Sequence, residues 1–190
     1  PILPAGFYYK TFMWPPSFWK KYEYFIRKSA GLGKSPKVAD PDIYEHNYIH
    51  CDVLVIGAGI SGIMAAKMAA KNGFKTLLVD EKSYLGGSSI YDNSEFSKIN
   101  NQITSSWLEK EINEISKLEN LEIKIRTSVA AFHGYNFLLA RENLTDHLPI
   151  SQRENKVRQR LLKIRAKKVI TATGSIAVSY THLTLPTTGV

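Results

Sequence analysis

The stretch that decides the fold is Asp52–Gly62, DVLVIGAGISG. Asp52–Ile56 is a continuous apolar run of strand length, the pattern of a parallel strand buried on both faces. It runs directly into G-x-G-x-x-G, with Gly57, Gly59 and Gly62 at the three glycine positions. Ser61 onward, SGIMAAKMAAKNG, reads as a helix with Met64 and Met68 one turn apart and Gly73 as its C-terminal stop. KTLLVD, Lys75–Asp80, is the next apolar strand. Strand, glycine turn, helix and strand within about 30 residues make a β–α–β unit.

Each glycine has a separate task in such a unit. Gly57 permits the tight turn out of the strand, Gly59 lets the backbone approach a pyrophosphate, and Gly62 lets the helix pack on the strands. The intervening Ala58, Ile60 and Ser61 place backbone N–H groups at the helix N-terminus, where the free donors and the dipole favour an anion. Asp80 ends the second strand about 20 residues on, where an acid hydrogen-bonds an adenosine ribose and repels a 2′-phosphate. NAD or FAD is therefore expected over NADP, with Glu81 as the substitute for Asp80. Gly86-Gly87, in VDEKSYLGG, resembles the glycine pair of two-dinucleotide-domain flavoproteins. Thr171-Ala172-Thr173-Gly174 resembles the ATG turn of the same superfamily, which puts Thr173 and Gly174 beside the dinucleotide.

Further out, a helix is expected over about 106–118, with Ser106 and Glu109 at capping-box spacing. LEIKI (Leu121–Ile125) reads as a third strand. TSVAAF, YNFLLARE and RQRLLKIRAKKVITAT read as a small antiparallel excursion that returns to the main sheet. The fold class is thus α/β, a Rossmann-type FAD/NAD(P)-binding parallel sheet with an antiparallel excursion, incomplete at the C-terminus. Residues 1–49 form an aromatic-rich arm and linker, in which Ser17 is expected to cap a helix ended by Gly31. Its aromatic face needs cover from the Rossmann domain itself or from another domain or subunit. Residues 50–176 form the Rossmann domain. Val178–Thr187, VSYTHLTLPT, resembles a translated transposon-end adapter from sequencing-library preparation, so 177–190 is expected to be non-native. Pro1 suggests that the native start is missing.

Composition narrows the function. The chain of 190 residues is 44% hydrophobic and 22% charged, as ordinary globular proteins are. No apolar run approaches the roughly 18–20 residues of a membrane span. The single cysteine, Cys51, excludes internal disulfides and cysteine-rich metal sites. It fits a cytoplasmic location and reads as a small buried thiol. A net charge of +8 suits nucleic acid, an acidic partner or anionic lipid, but no nucleic-acid signature accompanies it. The basic run Lys156–Lys168 alternates with apolar residues and reads as a solvated strand face. The histidines are dispersed, so no catalytic set and no metal site is expected.

Over about residues 3–176 the chain resembles the alpha subunit of heterotetrameric sarcosine oxidase, through LPAGFYYKTFMWP, FWKKYEYFIRKSAGLGK, DPDIYEHNYIHCDVLVIGAG, VDEKSYLGG, LTDHL and LLKIRAKKVITATGSI. The arm before the Rossmann strand is the most specific part. The resemblance implies an oxidative demethylase of sarcosine, with oxygen as acceptor and the one-carbon unit passed to tetrahydrofolate. It implies NAD bound at Gly57, Gly59, Gly62 and Asp80, and lined by Gly86, Gly87, Thr173 and Gly174. FAD is the alternative there. FMN and a further flavin would sit elsewhere in a complex with beta, gamma and delta subunits. Two other readings stay open: a free-standing FAD-dependent pyridine-nucleotide oxidoreductase, and a non-catalytic, nucleotide-stabilised assembly module.

Overall fold

The computed structural model describes residues 15–31, 37–91 and 97–175. The chain divides into two compact units, residues 1–41 and 42–190. The first unit holds helix α1 (Trp19–Ser29), entered through a single 3₁₀ turn, Pro16–Phe18. Ser17 does not cap it. Ser17 is taken up inside the 3₁₀ turn, which pairs the Phe18 N–H with Pro15 O at 3.0 Å, and the N-cap is Phe18, whose side chain has no capping group. Gly31 ends the helix as expected, in the left-handed region at φ 69°, with its N–H on Lys28 O. No residue of α1 is buried. The arm before residue 15 and the 177–190 tail lie outside the described residues.

The second unit is built on a six-stranded sheet of β1 (Ile43–Ile56), β2 (Thr76–Val79), β5 (Leu121–Lys124), β6 (Thr127–His133), β7 (Phe137–Asn143) and β8 (Val157–Thr171). Their order across the sheet is β5-β2-β1-β8-β7-β6. Strands β5, β2, β1 and β8 are parallel, and β7 and β6 continue the sheet antiparallel. A short hairpin, β3 (Lys98–Ile99) and β4 (Gln102–Ile103), stands apart from it.

The apolar run in β1 has the cause the sequence suggested, since both faces of the strand are covered. Val53 and Val55 face helices α2 (Ile60–Lys71) and α3 (Thr104–Ile115), packing with Ile63, Ala66, Trp107, Leu108 and Ile115. Leu54 belongs to a second core with Leu77, Val79, Leu138, Leu162 and Ile164. Gly73 ends α2 at φ 83°. Between the two helices Lys67 is ion-paired with Glu111, both buried.

Two boundaries differ from the sequence reading. β1 begins at Ile43, well before the apolar run, because its first half pairs along β8 as far as Val157. α3 begins at Thr104, so Ser106 lies inside the helix and no capping box forms. The β3–β4 hairpin delivers the chain into the helix early, and the Thr104 hydroxyl is tied to Ser97 O at 3.0 Å.

The excursion closes back on the parallel sheet. At Arg126 the chain turns through the left-handed region, φ 50°. The Arg126 N–H then donates to Lys82 O at 2.8 Å and the Thr127 N–H to Asp80 O at 2.7 Å. One end of β6 is therefore tied to the exit of β2, and the rest pairs with β7.

Candidate nucleotide-binding site

The carboxyl ends of β1, β2 and β8 open into a cleft of about 500 Å³. This is where open α/β sheets bind ligands, because the strand order reverses there and the loops part. Gly57 leaves β1 at φ 99°, and a Cβ on it would stand 2.4 Å from Ala172 O. The glycine turn and the ATG turn are thus pressed together, with the Ala172 N–H on Ile56 O at 2.7 Å. A Cβ on Gly62 would meet Gly57 O at 1.8 Å, so this glycine sets the approach of α2 to the strand. Gly59 is different: a Cβ there would meet nothing within 4 Å. Its bare side faces open space at the N-terminus of α2, where the first helical N–H groups lack intrahelical partners. The shape and the free donors of that cradle fit a phosphate.

Asp80 stands across the cleft. Its Oδ2 accepts from the Ala58 N–H at 2.6 Å, and its Oδ1 accepts from the Lys82 N–H at 2.8 Å. A carboxylate has about four acceptor positions, so capacity remains on both oxygens for ribose hydroxyls. Glu81 also lines the cleft but is exposed and takes no comparable backbone bond. Gly86 is buried beneath Leu108 and donates to Ala58 O at 2.7 Å. Gly87, at φ 60°, comes against the Gly59 backbone, where an added Cβ would lie 3.1 Å from the Gly59 Cα.

Of the residues expected at the site, Gly57, Gly59, Asp80, Glu81, Gly87, Thr173 and Gly174 line the cleft. Ala58, Ile60, Ser61, Gly62 and Gly86 do not line it. Ala58, Gly62 and Gly86 shape it from behind, and Ile60 and Ser61 open α2. The sequence reading missed Lys82, Ser88 and Thr127–Val129, which also line it. Lys82 and Ser88 flank motif residues and could have been included on spacing. Thr127–Val129 carried no such signal, because only the fold-back at Arg126 brings β6 to Asp80.

The basic run is not one solvated face. Arg158 is paired with Asp42 and Asp146, and Arg160 with Glu45 and Glu142, while Lys163 and Arg165 fall at alternate positions along β8. Cys51 is buried as expected, and burial pushes its thiol up to about 11. Among the described residues no helix is long and apolar enough to cross a membrane. They contain no group of three or more His, Cys, Asp or Glu able to hold a metal ion.

The FAD dependent oxidoreductase family matches residues 52–92, the segment that carries the glycine loop, Asp80 and the glycine pair. Sarcosine oxidase subunit alpha of Rhizobium meliloti (strain 1021) is 40% identical over 92% of this chain. The protein of the same name from Corynebacterium sp. (strain P-1) is 34% identical over 76% of it. The chain spans only 17% and 15% of the lengths of these two relatives. Among solved structures, L-proline dehydrogenase from P. horikoshii superposes with a TM-score of 0.55 at 26% identity, over 71% of this chain and 25% of that one. By sequence and fold, the chain is a homologue of sarcosine oxidase subunit alpha built on the Rossmann domain of the FAD-dependent oxidoreductases.

Proposed function

We propose that the cleft holds the adenosine half of a dinucleotide, that this dinucleotide is NAD, and that the chain serves a sarcosine-oxidase-type complex. The observation that supports this most is the open space over Gly59 facing the doubly anchored Asp80 carboxylate. Gly57, Gly59 and the N–H groups of Ile60 and Ser61 would take the pyrophosphate. Asp80 would take the ribose, and Ala58 would act through its bond to Asp80. Gly62, Gly86 and Gly87 would set the spacing, while Thr173 and Gly174 would close the cleft. NAD could supply hydride-accepting chemistry, but the family resemblance gives it a structural role. The oxidative removal of the N-methyl group of sarcosine, with oxygen as acceptor and tetrahydrofolate as one-carbon carrier, belongs to the whole assembly of alpha, beta, gamma and delta subunits. In this reading residues 50–176 are the nucleotide-binding domain and residues 1–49 the arm.

The second reading is FAD in the same cleft, favoured by the family match over residues 52–92. Denaturing the purified protein and identifying the released nucleotide by mass spectrometry tests both. NAD without flavin absorption supports the proposal. Bound FAD favours an FAD-dependent oxidoreductase. No adenine nucleotide, together with no binding of either one, defeats both.

A further inference from the structure

The first half of β1, Ile43–Cys51, pairs with β8 on one edge and, among the described residues, with no strand on the other. Directly paired residues of neighbouring strands lie on the same face of a sheet, so the register sorts this extension into two faces. On one face Glu45 is opposite Arg160, and Ile49 opposite Ile164, which is opposite Leu138. This face leads into the core and its charges are neutralised. Arg160 pairs with Glu45 at 2.9 Å and Glu142 at 3.1 Å, and Lys124 pairs with Glu142 at 3.1 Å.

The other face is different in kind. Its rows are His46–Leu161–Arg141, Tyr48–Lys163–Leu139 and His50–Arg165–Phe137. None of these residues is buried, and Tyr48 is 69% exposed. The rows contain no carboxylate. Arg141, Lys163 and Arg165 have no carboxylate within ion-pairing distance among the described residues, in contrast to the cations of the opposite face. They are nevertheless positioned. Lys163 lies over the Tyr48 ring at 4.9 Å and Arg165 over the Phe137 ring at 5.0 Å. Arg165 also donates to Tyr135 O at 3.0 Å. The carboxylates at the two ends of this face are already held, Asp146 by Arg158 and, one row beyond His50–Arg165, Asp52 by Lys167 at 2.7 Å. At the β6–β7 tip Tyr135 sits at φ 58° and is 96% exposed. This is a strained backbone region for a bulky residue.

We infer that this face docks an acidic protein surface. Aromatic rings and Arg are the residues that anchor protein interfaces, and Leu139 and Leu161 supply the apolar centre. Nucleic acid fits less well, because Tyr48 and Phe137 each have a cation over the ring and are not free platforms for stacking bases. From strand spacing and rise the face covers roughly 300 Å², well under the roughly 800 Å² per partner of a stable interface. The contact is therefore steered by charge and weakens with salt. This inference does not rest on the nucleotide reading.

The test is fluorescence anisotropy at low salt, with the full chain and a labelled Glu/Tyr copolymer as probe. Lys163→Glu with Arg165→Glu should weaken binding about tenfold or more, and Lys163→Gln with Arg165→Gln by less. Lys20→Glu with Lys21→Glu, the same charge change on α1, should alter binding by no more than about twofold. Far-UV circular dichroism matching the parent shows that the variants fold. The inference is overturned by absent binding or by equal loss in both charge-reversed pairs. Tighter binding of oligothymidylate or of phosphatidylserine vesicles through Lys163 and Arg165 also overturns it.

Discussion

The Asp80 carboxylate bonds the Ala58 N–H at 2.6 Å and the Lys82 N–H at 2.8 Å, and so ties the glycine loop to the turn that follows β2. One side chain therefore fixes the shape of the cleft and presents charge to it. Asp80→Ala should weaken NAD binding about 10- to 100-fold, the range for losing hydrogen bonds to a charged group. Asp80→Asn should lose less affinity but relax the preference for NAD over NADP, because the repulsion of a 2′-phosphate goes with the charge. Titration calorimetry with both nucleotides checks this. Unchanged affinity in Asp80→Ala would remove Asp80 from the site.

The glycines separate by what stands beside them. Gly62→Ala puts a Cβ at 1.8 Å from Gly57 O, a backbone atom that cannot yield without moving the loop. It should destabilise the fold by about 1–3 kcal/mol or more, seen as a lower Tm even without nucleotide. Gly59→Ala meets nothing within 4 Å. It should leave the Tm of the nucleotide-free protein near the parent value and remove most of the stabilisation that added NAD gives. Equal melting losses in the two variants would contradict this division.

The legible part of the fold was the part buried on both sides. DVLVI and TLLV announce themselves because helices cover one face and the returning strands the other, so no polar position interrupts the run. The glycine spacing and Asp80 follow from local chain geometry and were readable for that reason. The first half of β1 was not, because IYEHNYIH has exposed residues on both faces and offers no apolar stripe. The wall at Thr127–Val129 depends on a bond between residues far apart in sequence, Thr127 to Asp80. Nothing local in the sequence marks Lys67 as buried, because its partner there, Glu111, lies in a different helix.

The Cys51 thiol is raised to about 11, first by burial and then by the neighbouring Asp52 carboxylate. The folded state therefore holds the thiol proton to higher pH than the unfolded chain does. That contribution to stability is complete below the ordinary thiol pKa and is lost as pH rises from about 9 towards about 11. At pH 8 the native thiol should react with iodoacetamide far more slowly than the urea-unfolded one. Equal rates, followed by mass spectrometry, would show that Cys51 is accessible.

Lys67 and Glu111 are both nearly excluded from water, and Glu114 reaches the same ammonium at 2.8 Å from the rim. Hydrogen bonding to Glu111 and then Glu114 raises the Lys67 pKa, while the bond from Lys67 lowers that of Glu114. The sign for Lys67 is that of a cation gaining partners: its contribution is full below the unfolded lysine pKa of about 10.4 and is lost above it. For Glu114 the contribution is present above the unfolded glutamate pKa of about 4.3 and is lost as pH falls through the lower folded value. Removing one partner of a buried pair strands the other, so Lys67→Met should cost about 3–5 kcal/mol at neutral pH. Replacing both, Lys67→Met with Glu111→Leu, removes the stranded charge and should recover much of that loss. Urea denaturation of the two single variants and the double variant measures the coupling. If the losses simply add, the α2–α3 ion pair contributes no coupling energy, and packing of Ile63, Trp107 and Ile115 is what holds the helices together.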